Sequence, residues 1–293
     1  MSTTLIVGAT SQIGRCLLPR LTECGTEVIA TTRQPIPELQ PGPATWLRLD
    51  LDCADDDRAK VTRVETLIHL APIFTLPGFL ARSAPPELTR VLAFSTTSAV
   101  TKADSLDFRE RLYVERVLEA EAFVQSWCDG QNVAWAIFRP TMIYGLGLDN
   151  NVSFIARFIH RCGFFPLVGA GIGKRQPVHA ADLASACLAA LTSDTAWSRI
   201  YHLGGGEVLS YRTMVERIFA ALGRKPRFIR LPVPLLRMAL SGLRHLRRYD
   251  YLSPEMADRI DRDMVFDLGE AAHELSYAPR PFQPTLSELI HGR

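Results

Sequence analysis

Short apolar runs alternate with longer amphipathic stretches along this chain of 293 residues. Buried strands are predicted at five runs rich in β-branched and aromatic residues: TLIVGA, TEVIATT, TLIHLAP, VLAFSTT and VAWAIFRP. Helical spacing of apolar residues appears between the first two runs, in GRCLLPRLTECG, and again between the last two, up to about Cys128. Strands that are apolar on both faces and joined by helices predict a parallel, doubly wound sheet.

The composition of the chain changes after Tyr144, where Gly, Asn and Pro become frequent. Strand-like runs return at RQPVHAADL and RIYHLGG, and the rest of the chain has helical spacing interrupted by prolines. We therefore predict an α/β protein with a Rossmann domain over residues 1–150 and 175–205. A smaller, mainly helical substrate lobe is predicted over residues 151–174 and 206–293.

Composition and charge narrow the classes of partner. The chain is 47% hydrophobic and 22% charged, as in ordinary globular proteins, and its formal net charge is +2. That charge is too small to predict binding to nucleic acid or to an anionic membrane. The six cysteines are scattered without a CxxC pair or a histidine at ligand spacing, so we expect neither a disulfide framework nor a metal site.

The N-terminus and the apolar runs bear on the location of the protein. MSTTLIVGATSQIG has no basic segment and reaches glycine too early for a signal peptide, so we expect a cytoplasmic location. No run approaches the roughly 20 apolar residues of a membrane span. Residues 231–248 carry leucines and arginines at helical spacing, and we favour a helix packed by its leucines over one lying on a membrane surface. A homodimer is compatible with the sequence.

The first predicted strand runs into GATSQIG, with Gly8 at the turn and Gly14 six residues later. A strand, a tight glycine turn and a helix N-terminus form a site for pyrophosphate, because free backbone N–H groups and the helix dipole converge on the anion. Ser11 occupies the middle position of this GxxGxxG pattern, where its side chain would either crowd a phosphate or hydrogen-bond it. Glycine-rich turns also serve purely structural roles, so this motif alone does not identify the ligand.

Two further residues bear on the cofactor. Asp50 closes WLRLD, a further strand expected between TEVIATT and TLIHLAP, where a carboxylate can meet an adenine amino group. Arg33 follows the second strand, at the position where an NAD-binding fold usually places an acidic residue on the ribose. An arginine there favours the 2'-phosphate of NADP, so we expect NADP rather than NAD.

Seven motifs carry a family resemblance: GATSQIG, LIHLAP, FSTTSAV, FRPTMIYG, PVHAADLA, YHLGGGEVLSYRTMVERI and DLGEAAHELSYAPRPF. Together they resemble the extended short-chain dehydrogenase/reductases of the NAD-dependent epimerase/dehydratase type, over nearly the whole chain. The resemblance implies a Rossmann fold, a nicotinamide cofactor and a small-molecule substrate, a sugar that is nucleotide-linked.

Carried over to this chain, the family's catalytic serine or threonine falls on Thr97, and its YxxxK pair falls on Tyr113 and Val117. In the family the lysine holds the nicotinamide ribose and lowers the pKa of the tyrosine, by ~1 to 3 units for a cation within ~4 to 6 Å. Val117 can do neither. Arg116 lies on a neighbouring helix face and cannot reproduce a compact ammonium. The tyrosine thus occupies the catalytic position without its usual activating group.

The resemblance also implies the remaining contacts. The turn after Arg139 borders the nicotinamide in this family. The full set of expected cofactor contacts is Gly8, Thr10, Ser11, Gln12, Ile13, Gly14, Arg33, Asp50, Leu51, Leu70, Ala71 and Pro140. The expected substrate contacts, to phosphate or sugar oxygens, are Asn151, Arg157 and Arg175.

Three functions are compatible with the sequence, of which the third, an interfacial protein that uses residues 231–248, rests on a single helix. The first is an NAD(P)-dependent oxidoreductase, epimerase or dehydratase acting on a sugar, with Tyr113 as the acid-base residue and Thr97 as its hydroxyl partner. The second is a protein that binds NAD(P) without efficient turnover and acts as a sensor or an assembly partner. Val117 is the main support for the second.

Overall fold

The computed structural model of the chain describes residues 3–33, 42–49, 51, 61, 63–243 and 253–290. The strands are β1 (Thr3–Val7), β2 (Glu27–Thr32), β3 (Thr45–Arg48), β4 (Val64–His69), β5 (Arg90–Phe94), β6 (Ala134–Pro140), β7 (Ile143–Tyr144), β8 (Phe165–Val168), β9 (Lys174–Arg175), β10 (Val178–His179), β11 (Arg199–Leu203), β12 (Leu209–Ser210) and β13 (Phe228–Leu231). The helices are α1 (Gln12–Glu23), α2 (Leu76–Ser83), α3 (Ser98–Thr101), α4 (Phe108–Gly130), α5 (Val152–Cys162), α6 (Ala180–Thr192), α7 (Tyr211–Ala221), α8 (Val233–Leu243), α9 (Gly269–Glu274) and α10 (Leu286–Leu289).

The large sheet in the described part of the chain has seven strands in the order β3-β2-β1-β4-β5-β6-β11. All neighbouring pairs are parallel. The order reverses between β1 and β4, because the chain fills one half of the sheet first and then crosses to the other. In such sheets a crevice for ligands opens at this reversal, beyond the carboxyl ends of the strands.

Helices cover both faces of the sheet, because its central strands are apolar on both sides. On one face Leu17 of α1 and Leu183 of α6 lie in a buried cluster with strand residues. On the other face Leu80 of α2 and Val124 of α4 lie in a second cluster. The predicted α/β architecture, a doubly wound parallel sheet, is confirmed.

The smaller lobe is built around α5 and α7, which pack on each other through Ile159 and Ile218. Beside the large sheet, three two-stranded ribbons lie within the described residues: β13 with β8, β12 with β9, and β10 with β7. Helix α5 ends at Gly163, which has a φ of 78° and can adopt this left-handed conformation because it lacks a side chain. None of the helices in the described part of the chain has the length and hydropathy of a membrane-spanning segment.

Candidate functional site

Four parallel strands bring the predicted site residues to one edge of the sheet. β6, β5, β4 and β1 are adjacent and parallel, so their carboxyl ends meet there. Gly8 follows β1, Leu70 follows β4, and Thr97 lies three residues after β5. Pro140 is the last residue of β6. The structure therefore gathers on this edge residues that lie up to 132 positions apart in the sequence.

The glycine loop has the local geometry of an anion site. Gly8 has a φ of 79°, a left-handed conformation that disfavours residues with a Cβ. Gly14 lies so close to the end of β1 that a Cβ there would be 2.4 Å from the carbonyl oxygen of Ala9. Ser11 caps α1, and its hydroxyl accepts a hydrogen bond of 3.1 Å from the N–H of Gly14. The N–H groups of Gln12 and Ile13, the first two residues of α1, have no intrahelical acceptor and can donate to a phosphate.

Other predicted cofactor contacts surround this loop. A Cβ on Gly8 would come within 3.1 Å of the N–H nitrogen of Ala71 and 3.5 Å of the Cβ of Leu70. The loops that follow β1 and β4 therefore touch at the switch point, the place where the strand order reverses. The side-chain oxygen of Gln12 accepts a hydrogen bond of 3.3 Å from the N–H of Leu146, which ties α1 to the loop after β7. This contact takes up one of the polar groups predicted to face the cofactor.

The residues predicted to recognise the adenosine half lie at the ends of β2 and β3. Arg33 directly follows β2, and its side chain is exposed. Leu51 is buried near the end of β3. Asp50 lies outside the described residues, so its predicted contact with adenine stays a prediction.

Thr97 is 8% exposed and makes two contacts to the end of β6. Its hydroxyl donates a 3.0 Å hydrogen bond to the carbonyl oxygen of Pro140, and its N–H donates to the same oxygen at 3.2 Å. The hydroxyl proton is therefore directed at the backbone, and only the oxygen lone pairs can interact with a substrate in this arrangement. The predicted catalytic role of Thr97 stays a prediction.

Tyr113 lies on α4, and 39% of its surface is exposed. Its ring packs edge-on against Phe74, in the turn after β4, at a centroid distance of 6.2 Å. The guanidinium carbon of Arg116 lies 4.3 Å from the centroid of the same Phe74 ring, a cation–π contact. Partial burial raises the pKa of Tyr113 above its ordinary value. Arg116 stacks on Phe74, and no described cation lowers the pKa of the phenol.

Val117 is 1% exposed and belongs to the apolar cluster between α4 and the sheet. The position that the resemblance predicts for the family's lysine is therefore part of the hydrophobic core. Because a lysine ammonium would need water or a partner at this place, the surrounding packing matches the valine.

A polar network next to Thr97 was not expected from the sequence. Glu121 of α4 is buried, and it accepts hydrogen bonds from Arg139 of β6 and from Ser95 directly after β5. These residues are 18 and 26 positions from Glu121, so only the fold brings them together. The network fixes α4 to the carboxyl ends of β5 and β6.

The three predicted substrate residues have different surroundings. Asn151 is exposed and precedes α5. Arg157 donates to the backbone carbonyls of Gly147 and Asp149 at 3.1 and 3.3 Å. Arg175 is only 4% exposed, and its guanidinium donates to four backbone carbonyls, those of Lys174, Arg259, Ile260 and Arg262. These bonds favour a structural role for Arg175 over the predicted substrate contact. Among the described residues, no group of three or more His, Cys, Asp or Glu side chains is arranged to hold a metal ion.

A doubly wound parallel sheet with a glycine loop where the strand order reverses is typical of folds that bind nucleotide cofactors. Residues 80–204 match the sequence profile of the NAD dependent epimerase/dehydratase family. The predicted family resemblance is thereby confirmed over this segment.

Individual proteins extend the comparison. The chain is 31% identical over 121 residues to "NADH dehydrogenase [ubiquinone] 1 alpha subcomplex subunit 9, mitochondrial" of Arabidopsis thaliana. The matched segment covers 41% of this chain and 30% of that protein. The chain thus spans about a third of the length of this relative, and it spans 37% of a second, 32% identical relative. A third, "2'-dehydrokanamycin reductase" of Streptomyces kanamyceticus, is 24% identical over 280 residues, 90% of this chain and 76% of that protein.

Solved structures share the fold. The UDP-glucuronic acid 4-epimerase of Bacillus cereus, in complex with UDP-glucuronic acid and NAD, superposes with a TM-score of 0.72. The sequences are 15% identical, and the superposition covers 95% of this chain and 94% of that one. At this identity the likeness establishes the fold of the chain.

Proposed function

We propose that the protein is a nicotinamide-dependent enzyme of the epimerase/dehydratase type that acts on a carbonyl or hydroxyl group of a sugar. The observation that carries the proposal is the loop from Gly8 to Gly14 at the switch point, with a helix N-terminus behind it. The residues fit the cofactor, because Gly8 is left-handed, Gly14 has no room for a side chain, and the N–H groups of Gln12 and Ile13 have no intrahelical acceptor. When bound, a nicotinamide supplies or accepts hydride.

Tyr113 is the proposed acid-base residue, and its surroundings favour one direction of reaction. Burial raises the pKa of its phenol, and no described cation opposes this. The phenol therefore keeps its proton at neutral pH and can donate it to a carbonyl oxygen of the substrate. Removing a proton from an alcohol needs the phenolate, which is scarce under these conditions. We infer that reduction of a ketone is faster than oxidation of the corresponding alcohol. The 2'-dehydrokanamycin reductase among the relatives supports this direction.

NADP is the proposed form of the cofactor. Arg33 is exposed directly after β2, where its guanidinium can pair with a 2'-phosphate. Solved structures of the same fold contain NAD and give no support for NADP. The proposed preference for NADP over NAD therefore rests on Arg33. Fluorescence titration with NADPH and NADH tests it: NADPH should bind at least tenfold more tightly, and Arg33→Ala should remove the difference. Equal affinities in the unaltered protein would contradict the proposal.

The proposed substrate is a sugar, and a nucleotide-linked sugar is the first class to test. Structures of the same fold hold UDP-glucose or UDP-glucuronic acid. Asn151 has an exposed side chain, whereas the guanidiniums of Arg157 and Arg175 already donate to backbone carbonyls. A free sugar ketone is therefore the necessary comparison in any substrate screen. The homodimer and the cytoplasmic location stay predictions.

A second candidate function follows from Val117. A buried valine at the lysine position leaves the tyrosine without activation, as expected of a protein that binds the cofactor and has lost turnover. The relative from Arabidopsis thaliana, described as a subunit of an NADH dehydrogenase, supports a role as an assembly partner.

One experiment separates the two candidates. The purified protein is given NADPH with sugar ketones, nucleotide-linked and free, and oxidation of NADPH is followed by absorbance. An enzyme should turn over at least one class, and Tyr113→Phe should lower kcat by about 100-fold or more. Tight NADPH binding without turnover would favour the assembly partner. Turnover that Tyr113→Phe leaves unchanged would exclude Tyr113 as the acid-base residue.

A further inference from the structure

A buried ion pair lies one turn before Tyr113 in α4. The carboxylate of Glu110 accepts two hydrogen bonds from the guanidinium of Arg259, at 2.6 and 2.7 Å. It also accepts from the hydroxyl of Ser105 at 2.6 Å, and the ammonium of Lys102 is 3.1 Å away. Glu110 and Arg259 are both buried. Because every oxygen of the carboxylate has a partner, the pair is satisfied in a place where either charge alone would be costly.

Residues 259–263, the segment that carries Arg259, are hydrogen-bonded to residues 172–175, which comprise β9 and the two residues before it. The guanidinium of Arg175 donates to the carbonyls of Arg259 and Arg262 at 2.7 and 2.8 Å. Gly173 packs so closely on this segment that a Cβ would be 2.4 Å from the carbonyl oxygen of Ile260. Two aspartates bind the loop backbone: Asp261 accepts from the N–H of Ile172 at 3.1 Å, and Asp263 accepts from the N–H of Lys174 at 2.8 Å. Residues 259–263 and the lobe loop 172–175 therefore form one packed unit.

Tyr113 depends on the first turns of α4 for its position. The beginning of a helix lacks half of its backbone hydrogen bonds and opens more easily than its middle. Asp107 caps α4 by accepting from the N–H of Arg109 at 2.9 Å, and Glu110 holds the next position through Arg259. The ring of Tyr113 packs on Phe74 in a T-shaped arrangement.

We propose that Glu110 and Arg259 are positioning residues, which hold the phenol of Tyr113 in a fixed relation to the substrate-lobe loop 172–175. A bidentate, buried pair is stiff, because separating it exposes two unsatisfied charges to the protein interior. The pair therefore helps to hold the first turns of α4, and with them Tyr113, in place. The position predicted for the family's lysine is occupied by Val117 and cannot contribute to this. The inference rests on the proposed function for the role of Tyr113, and on the contacts above for the link itself.

A double-mutant cycle tests the role. Arg259→Lys keeps the positive charge and loses the bidentate geometry, and it is measured alone and together with Tyr113→Phe. Arg237→Gln is the matched control, because it removes the partly exposed ion pairs of Arg237 to Glu255 and to Asp258, the residue directly before Arg259. With NADPH and the best sugar ketone, Arg259→Lys should lower kcat by about 10- to 100-fold and change KM and the Kd for NADPH less than threefold. In the Tyr113→Phe background the same change should cost less than threefold. Independent, multiplicative losses would overturn the proposal.

Hydrogen exchange tests the link without turnover. The amides of residues 109–113 should exchange at least tenfold faster in Arg259→Lys than in the unaltered protein, and Arg237→Gln should leave them unchanged. Unchanged exchange in Arg259→Lys would overturn the proposal. If no sugar is turned over, the proposed function fails while this measurement still decides the link. If Arg259→Lys does not fold, Glu110→Gln, which keeps the side-chain size, replaces it under the same criteria.

Discussion

Replacing Val117 by lysine places an ammonium at the position predicted for the family's lysine and tests whether this core can hold it. Val117 is 1% exposed among apolar residues, one helical turn after Tyr113. A lysine there either remains inside the core or reaches the phenol of Tyr113. The structure favours the first outcome, because the surrounding cluster offers the ammonium no partner among the described residues.

The magnitude follows from the pKa of a buried ammonium. Burial lowers the pKa of lysine by ~3 to 5 units from ~10.4, and each unit is worth ~1.4 kcal/mol. At pH 7 the folded protein avoids the buried charge by releasing the proton, so the cost is limited to about 4 to 5 kcal/mol. Compared with typical unfolding free energies of about 5 to 15 kcal/mol, this is a large loss.

The assay is urea unfolding of Val117→Lys, with Val117→Met as the uncharged control of similar length. Between the folded and unfolded pKa values of the lysine, the unfolded chain binds a proton that the folded chain does not. The stability of Val117→Lys should therefore rise with pH relative to Val117→Met, by about 1.4 kcal/mol per pH unit, between roughly pH 7 and pH 10. Activity should not rise.

Two results would refute this reasoning. One is a stability of Val117→Lys within about 1 kcal/mol of Val117→Met at pH 7. The other is a lowered pKa of Tyr113, seen as phenolate absorbance that disappears in the Tyr113→Phe background. Together they would show that the ammonium reaches the phenol, and turnover near neutral pH should then increase.

Three further outcomes are expected. Gly14→Ala should lower Tm and abolish NADPH binding, because its Cβ would lie 2.4 Å from a backbone oxygen, whereas Gly130→Ala, with no atom within 4 Å, should be neutral in both assays. Burial acts to raise the pKa of Glu110, but hydrogen bonds from Arg259 and a serine and the charge of a lysine outweigh it and hold that pKa at about 2. Because the pKa of Glu110 in the folded protein lies below the ordinary 4.5, the unfolding free energy of the unaltered protein should increase relative to Glu110→Gln by about 3 kcal/mol as pH rises from 2 to 4.5. Above pH 4.5 this difference, measured by urea unfolding, should stay constant. Arg175→Met should lower the unfolding free energy by about 3 kcal/mol through its lost hydrogen bonds, and an unchanged stability with a raised KM would instead make it a substrate contact.

Local patterns in the sequence were sufficient for the architecture. Alternation of apolar runs with helical spacing gave the strands and helices of the doubly wound sheet, because burial on both faces of a parallel strand leaves a continuous apolar run. The glycine loop was equally local: a left-handed Gly8, a serine cap and a closely packed Gly14 lie within seven residues. From the sequence came also the prediction that Val117 occupies the position of the family's lysine.

Only the tertiary structure decided what the site residues contact. The hydroxyl of Thr97 donates to a carbonyl 43 residues away, and the guanidinium of Arg175 is bound by carbonyls 84 to 87 residues away. Glu110 and Arg259 are separated by 149 residues. A hydroxyl, a guanidinium or a carboxylate looks the same in the sequence whether it faces a ligand or a backbone oxygen. Which of the two it meets is set by chain segments that folding alone brings together.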